Sequence, residues 1–190
     1  TNKLQSYLDD LNSQNSIESD LVLTSGEQVT IGLLSAALKN AGIKSIPLLG
    51  WQIPIITDDN HEKAKILKID NTRIKSHLEK NDVIVLAGFQ GISINGNITS
   101  IGRGGSDTTA VAIASSIEAE RCDIYTDVDG VYTTDPNIDN NAKKIDKMSY
   151  EEMLEMASTG AKVLHTRSVE LAMKNNLTLQ VLSSLSEKKG

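Results

Sequence analysis

Apolar positions along the 190-residue chain switch repeatedly between helical and extended spacing, and the switches mark out the elements. Leu4, Tyr7, Leu8 and Leu11 recur at helical spacing, and the polar run Asn12 to Ser16 reads as a loop. Leu21-Val22-Leu23 leads into a helix in which Ser25 and Gln28 fit a capping box. Ile31, Leu34, Leu38 and Ala41 share one face of that helix, which ends at Ala41-Gly42; Ile43 to Leu49 then reads as a buried strand. A strand over Ala64 to Ile69 and a helix over Thr72 to Lys80 with an exposed basic face come next. Val83 to Ala87 is a continuous apolar run, as expected of a strand covered on both faces. Ile92 to Thr99 alternate about Asn95-Gly96 and predict a hairpin. Asp123 to Thr126 and Leu177 to Leu182 supply later strands, with a polar, turn-rich stretch at Asn137 to Lys147. Ser149 with Glu152 forms a capping box, Met148 and Met153 are placed for a hydrophobic staple, and Met156 completes a core-facing cluster. Alternating strands and helices joined by glycine turns give an α/β protein, one three-layer α/β/α domain over residues 1–190.

The stretch that carries chemistry is Ile98 to Thr109, read as a short strand, the turn Gly102-Arg103-Gly104-Gly105, and a helix running through Ala119. Glycines admit positive φ and a close ligand approach. Ser106 or Asp107 can cap the helix, whose N-terminus suits phosphate, and Arg103 adds a planar charge that grips phosphate or carboxylate in two places. The motif is neither a Walker loop nor G-x-G-x-x-G. With the following strand at Asp123 to Thr126 it predicts a parallel βαβ unit, so the glycine turn and Thr126-Asp127 would open onto one rim of a sheet.

Composition narrows the field. The chain is 39% hydrophobic and 23% charged, ordinary for a soluble globular protein, and its net charge of −6 argues against a nucleic-acid or anionic-membrane surface. Against that charge a phosphate site must be locally positive, which makes Arg103 and Lys162 informative. The single cysteine, Cys122, is read as packing at a strand start and fits a reducing compartment. With no signal peptide and no apolar run of membrane length, the expected location is cytoplasmic. His61 and His77, in polar surroundings, are expected at the surface, and Trp51 in Gly50-Trp51-Gln52-Ile53-Pro54 is expected to pack.

The glycine turn, together with Tyr125-Thr126-Asp127-Val128-Asp129-Gly130-Val131-Tyr132-Thr133-Thr134-Asp135-Pro136, resembles the aspartokinases of the amino-acid kinase family. Thr24-Ser25-Gly26-Glu27-Gln28, Ala87-Gly88-Phe89-Gln90-Gly91 and Gly160-Ala161-Lys162-Val163-Leu164-His165 agree with it, so the likeness runs from about Leu21 to Ser184. It implies the amino-acid kinase fold, with a largely parallel central sheet, and ATP-dependent phosphorylation of the β-carboxylate of L-aspartate to 4-phospho-L-aspartate. That reaction opens the lysine, threonine and methionine branch. It also implies Mg²⁺ as cofactor and a homodimer. On this resemblance Glu27 meets the substrate ammonium group, and Arg103, Gly104, Gly105 and Ser106 serve the substrate and phosphate region. Asp107 stands beside the reacting groups. Thr126, Asp127, Tyr132, Asn137 and Lys162 hold ATP, and no side-chain metal cluster is expected.

The family's pattern is not followed throughout. Asn137 replaces an arginine that helps hold the nucleotide, Thr166 replaces a proline after His165, and nothing matches the amino-terminal Lys-Phe-Gly-Gly-Thr-Ser turn or the regulatory ACT domains. The expectation is therefore a catalytic domain truncated at both ends. Two alternatives stand beside it: a catalytically impaired nucleotide-binding remnant or subunit, and a relative acting on glutamate or acetylglutamate.

Overall fold

A computed structural model describes residues 2–134, 138–158 and 163–185, and the chain divides into two compact units at residues 109 and 110. In the first unit, α1 (Asn2–Asp10) is followed by α2 (Ile17–Asn40), β1 (Ser45–Leu48), β2 (Ile55–Thr57), β3 (Ile66–Ile69) and α3 (Asn71–Leu78). β4 (Val83–Leu86), β5 (Gln90–Ser93), β6 (Ile98–Ser100) and the start of α4 (Gly105–Ser116) complete it. β1 and β4 pair in parallel from Ser45 opposite Val83 to Leu48 opposite Leu86. A second sheet has the order β3-β2-β5-β6, in which β2 and β5 are parallel and the flanking pairs antiparallel. α2 lies against β1, β4 and β6, with Ile31, Val85 and Ala87 forming a buried cluster.

The long helix starts well before the capping box read at Ser25. Ser16 caps it: its hydroxyl accepts from the Ser19 amide at 3.1 Å and the Ser19 hydroxyl accepts from the Ser16 amide at 3.0 Å. Ser25 is mid-helix, its hydroxyl donating to the Val22 carbonyl at 2.7 Å. At 24 residues α2 is also long and apolar enough, by length and composition, to cross a membrane, contrary to the expectation that no run reaches that length. It packs on three strands along one side and holds buried Asp20 in a hydrogen-bond network, while Leu21, Val29, Leu33 and Leu34 are exposed.

Three further expectations are corrected. β6 is the return strand of the Asn95-Gly96 hairpin, pairing β5 from Ser100 opposite Gln90, and is not the first strand of a parallel βαβ unit. Trp51 is 45% exposed, because the turn at 50–54 buries Ile53 and leaves the indole outside. His61 is not a free surface residue: Nδ1 lies 2.6 Å from an oxygen of buried Asp20.

In the second unit α4 continues into β7 (Arg121–Thr126), β8 (Val131–Tyr132), β9 (Lys144–Ile145), α5 (Tyr150–Ser158), α6 (Thr166–Lys174) and β10 (Thr178–Ser183). β7 and β10 are parallel along their whole length, and β8 and β9 form a short antiparallel pair. Val111, Ala114, Cys122, Ile124, Met153, Val169 and Val181 are buried in one cluster, with Met148 and Met156 against it, as the sequence led one to expect. The Ser149 box is formed reciprocally with Glu152, and His165 caps α6 through Nδ1.

Candidate active site

The glycine turn is built by backbone shape. Gly102 and Gly104 take φ of 77° and 70°, a region that L side chains enter only at a cost, so the chain reverses within four residues of Ser100. A Cβ on Gly105 would lie 2.8 Å from the Phe89 ring and 3.1 Å from Ile101, so only glycine permits this approach. α4 begins at Gly105; Ser106 and Asp107 thus sit inside its first turn, where neither can act as the cap expected of it. The Gly105 amide donates to the Gly102 carbonyl at 2.8 Å and the Thr108 hydroxyl to the Gly104 carbonyl at 2.8 Å. First-turn amides and the helix dipole give this end a positive field, and Arg103 stands exposed on the turn before it.

The turn at 88–90 is packed onto the same place. Phe89 has φ of 64°, its carbonyl accepts from the Ile101 amide at 2.9 Å, and its amide donates to the Thr109 hydroxyl at 3.1 Å. Gln90, 1% exposed, donates through Nε2 to the Thr24 carbonyl at 3.4 Å, which brings α2 to this turn. Glu27 lies one helical turn beyond Thr24. Its Oε2 is buried and has no hydrogen-bond partner, and Gln90 Oε1 shares that condition. Buried acceptors left bare cost roughly 1–3 kcal/mol each, so such atoms call for a donor.

In the second unit, Thr126 ends β7 with its hydroxyl 3.1 Å from an Asp127 oxygen, and its carbonyl accepts from the Ser184 amide at 2.7 Å. Asp127 is exposed. The Tyr132 hydroxyl donates to Asp129 at 2.8 Å, a bond that raises the phenol above its ordinary range, with partial burial and the carboxylate charge acting the same way. Asn137 and Lys162 lie outside the described residues. Glu27 and residues 103–107 thus belong to the first unit, and Thr126, Asp127 and Tyr132 to the second.

A sequence model of the Amino acid kinase family matches residues 2–183, through both units. The chain belongs to that family. It is 54% identical over 173 residues to an aspartokinase of Pseudomonas aeruginosa, a match covering 91% of the chain and 42% of the relative. Among solved structures, it is similar to aspartate kinase from Synechocystis (TM-score 0.86, 41% identity, 100% of this chain and 31% of that one). It is equally similar to E. coli aspartokinase III in complex with aspartate and ADP (TM-score 0.86, 29% identity, 96% of this chain and 42% of that one). The α/β fold class is thereby that of the amino acid kinases. The chain spans under half the length of these relatives.

Sequence reasoning missed one cluster: Asp20, His61 and Ser100, brought together from positions up to 80 residues apart. No local spacing joins them, so no motif could have announced them. Among the described residues no group of three or more His, Cys, Asp or Glu side chains is arranged to hold a metal ion. Mg²⁺ does not need one, since it keeps several waters and binds through one or two carboxylates plus phosphate oxygens; Asp107, half-buried in the first turn of α4, fits that demand.

Proposed function

We propose that the chain carries the catalytic machinery of an aspartate kinase, transferring the γ-phosphoryl group of ATP to the β-carboxylate of L-aspartate. The observation that carries the reading is the buried, partnerless Glu27 Oε2, one helical turn along α2 from Thr24, whose carbonyl meets the Gln90 side chain. An α-ammonium group brings a positive charge and N–H donors to an oxygen that lacks both. The 54% identity to an aspartokinase supports the same substrate.

The acceptor carboxylate is already a nucleophile, so no general base is required. The difficulty is bringing an anion onto a polyanion, which makes positioning and charge stabilisation the whole of catalysis. Arg103 offsets negative charge at the reacting end and the amides of Gly104 and Ser106 orient oxygens of phosphate or substrate, while Gly105, whose own amide closes the turn onto Gly102, leaves room for their approach. Thr126, Asp127 and Tyr132 hold the nucleotide, with Asn137 and Lys162 assigned to the same task. Mg²⁺ supplies charge neutralisation across the phosphates when bound. Asp107 orients that ion or neighbouring cationic groups.

Residues 1–190 are read as a single kinase domain, because the family match runs through both units. A homodimer in the cytoplasm is the accompanying assembly. The exposed apolar row on α2, which includes Leu21, Val29 and Leu33, supports association. The test is an acyl-phosphate assay with ATP, Mg²⁺ and a panel of aspartate, glutamate and acetylglutamate, run beside an ATP-binding titration. Product from aspartate alone is expected. Product from another acid overturns the substrate, and ATP binding without any product reassigns the chain as a nucleotide-binding subunit.

A further inference from the structure

Asp20 is fully buried, 0% exposed, in the first turn of α2. A buried charge is costly unless donors surround it, and Asp20 has three. One oxygen accepts from the Ser100 hydroxyl at 2.6 Å and the Glu62 amide at 3.0 Å; the other lies 2.6 Å from His61 Nδ1. The N-terminal end of α2 favours the negative charge further.

These partners converge on one structural task. Ser100 ends β6, two residues before Gly102, and its carbonyl accepts from the Ala64 amide at 3.0 Å. Glu62 has φ of 61°, and its carbonyl oxygen is pressed so closely against Gly102 that a Cβ there could not fit. The Glu62 carboxylate in turn accepts from the Asn15 amide at 2.7 Å, tying the same segment to the loop ahead of α2. A single carboxylate thus fastens three things: the start of α2, the segment 61–64, and the strand that delivers the glycine turn.

We propose that Asp20, acting through His61, Glu62 and Ser100, is a positioning residue that sets the geometry of the turn Gly102–Gly105. Part of its warrant rests on the reading above, in which that turn receives phosphate or substrate. Amides aimed at a developing charge work only when held within about half an ångström of their target, and held in advance. Asp20 touches neither reactant; it fixes the backbone that does.

Amide hydrogen exchange on the 190-residue chain tests the positioning without any ligand. His61→Ala removes the donor at one Asp20 oxygen, and since the imidazole is already 16% exposed the substitution leaves no sealed cavity. His61→Asn returns an N–H near the Nδ1 position. The expected result is exchange at residues 101–105 at least tenfold faster in His61→Ala, with β1 and β4 within twofold of the parent and most of the protection restored in His61→Asn. Unchanged exchange, equal acceleration throughout residues 2–109, or no rescue by asparagine would each overturn the role. A second arm titrates ATP with Mg²⁺, and adenosine alone. His61→Ala should weaken ATP about tenfold and leave adenosine unaffected, whereas equal weakening of both would overturn the link to phosphate. If the parent itself binds no ATP, the phosphate reading falls, and the exchange arm still decides the positioning.

Discussion

Adding one methyl group at Gly102 separates two causes that hold the glycine turn. Gly102→Ala forces an L residue to φ of 77° and drives a Cβ into the Glu62 carbonyl oxygen. The left-handed backbone alone costs roughly 1–2 kcal/mol. Overpacking against fixed backbone adds about 1–3 kcal/mol, because neither the Gly102 turn nor the Glu62 segment can move without loosening the Asp20 network. Gly96→Ala is the matched control. Gly96 lies in the same unit with φ of 83°, but nothing stands within 4 Å of its would-be Cβ, so only the backbone cost applies. Urea unfolding followed by fluorescence reports on this unit, since Trp51 is the protein's one tryptophan and belongs to it. With a slope of about 2 kcal/mol per molar urea, the two midpoints should differ by about 0.5–1.5 M, Gly102→Ala being the lower. Coincident midpoints would refute the close packing of residues 61–64 on the turn.

Glu27→Gln removes the charge from a buried oxygen that has no donor, so the urea midpoint should rise while aspartate affinity falls about tenfold or more. A calorimetric titration with unchanged affinity would remove Glu27 from the site. Tyr132 is held protonated by Asp129, so its contribution to stability is fully present below about pH 10 and is lost as pH rises through its raised value. Asp129→Asn should shift one of the protein's four tyrosines to earlier ionisation in an ultraviolet titration, and superimposable curves would exclude the bond's effect. Val29 and Leu33 are 63% and 69% exposed on α2, so if the proposed dimer forms through this face, Val29→Asp combined with Leu33→Asp should convert it to monomer in sedimentation. A dimer that survives both substitutions uses another face.

What the sequence made legible was local. The Ser149 box, the β4 apolar run and the Asn95-Gly96 hairpin each carry their signal within eight residues, and each forms as read. The start of α2 was hidden because its true box uses serine at both ends, Ser16 and Ser19, whereas Ser25 and Gln28 match the commoner pattern by chance. The helix is apolar on more than one side, so periodicity could not correct the mistake. Arg103 could be named as a candidate from the glycine turn that carries it, and Glu27 only through the resemblance of Thr24-Ser25-Gly26-Glu27-Gln28 to the aspartokinases. The scaffold behind them could not: Asp20 meets His61 across 41 residues and Ser100 across 80.

α2 carries two carboxylates turned to the interior, two helical turns apart, and the fold treats them in opposite ways. Asp20 is given three donors and becomes part of the frame. Glu27 keeps a buried oxygen with none. A protein that could satisfy one buried carboxylate so completely had the means to satisfy the other, with the Gln90 amide already held against the Thr24 carbonyl one turn away. On the proposed function an ammonium group would bring the bare Glu27 oxygen the donor it lacks, and the contact would add to the ligand's affinity. On that reading the two carboxylates are complementary: Asp20 would fix where the glycine turn lies, and Glu27 would offer its bare oxygen to an ammonium-bearing substrate.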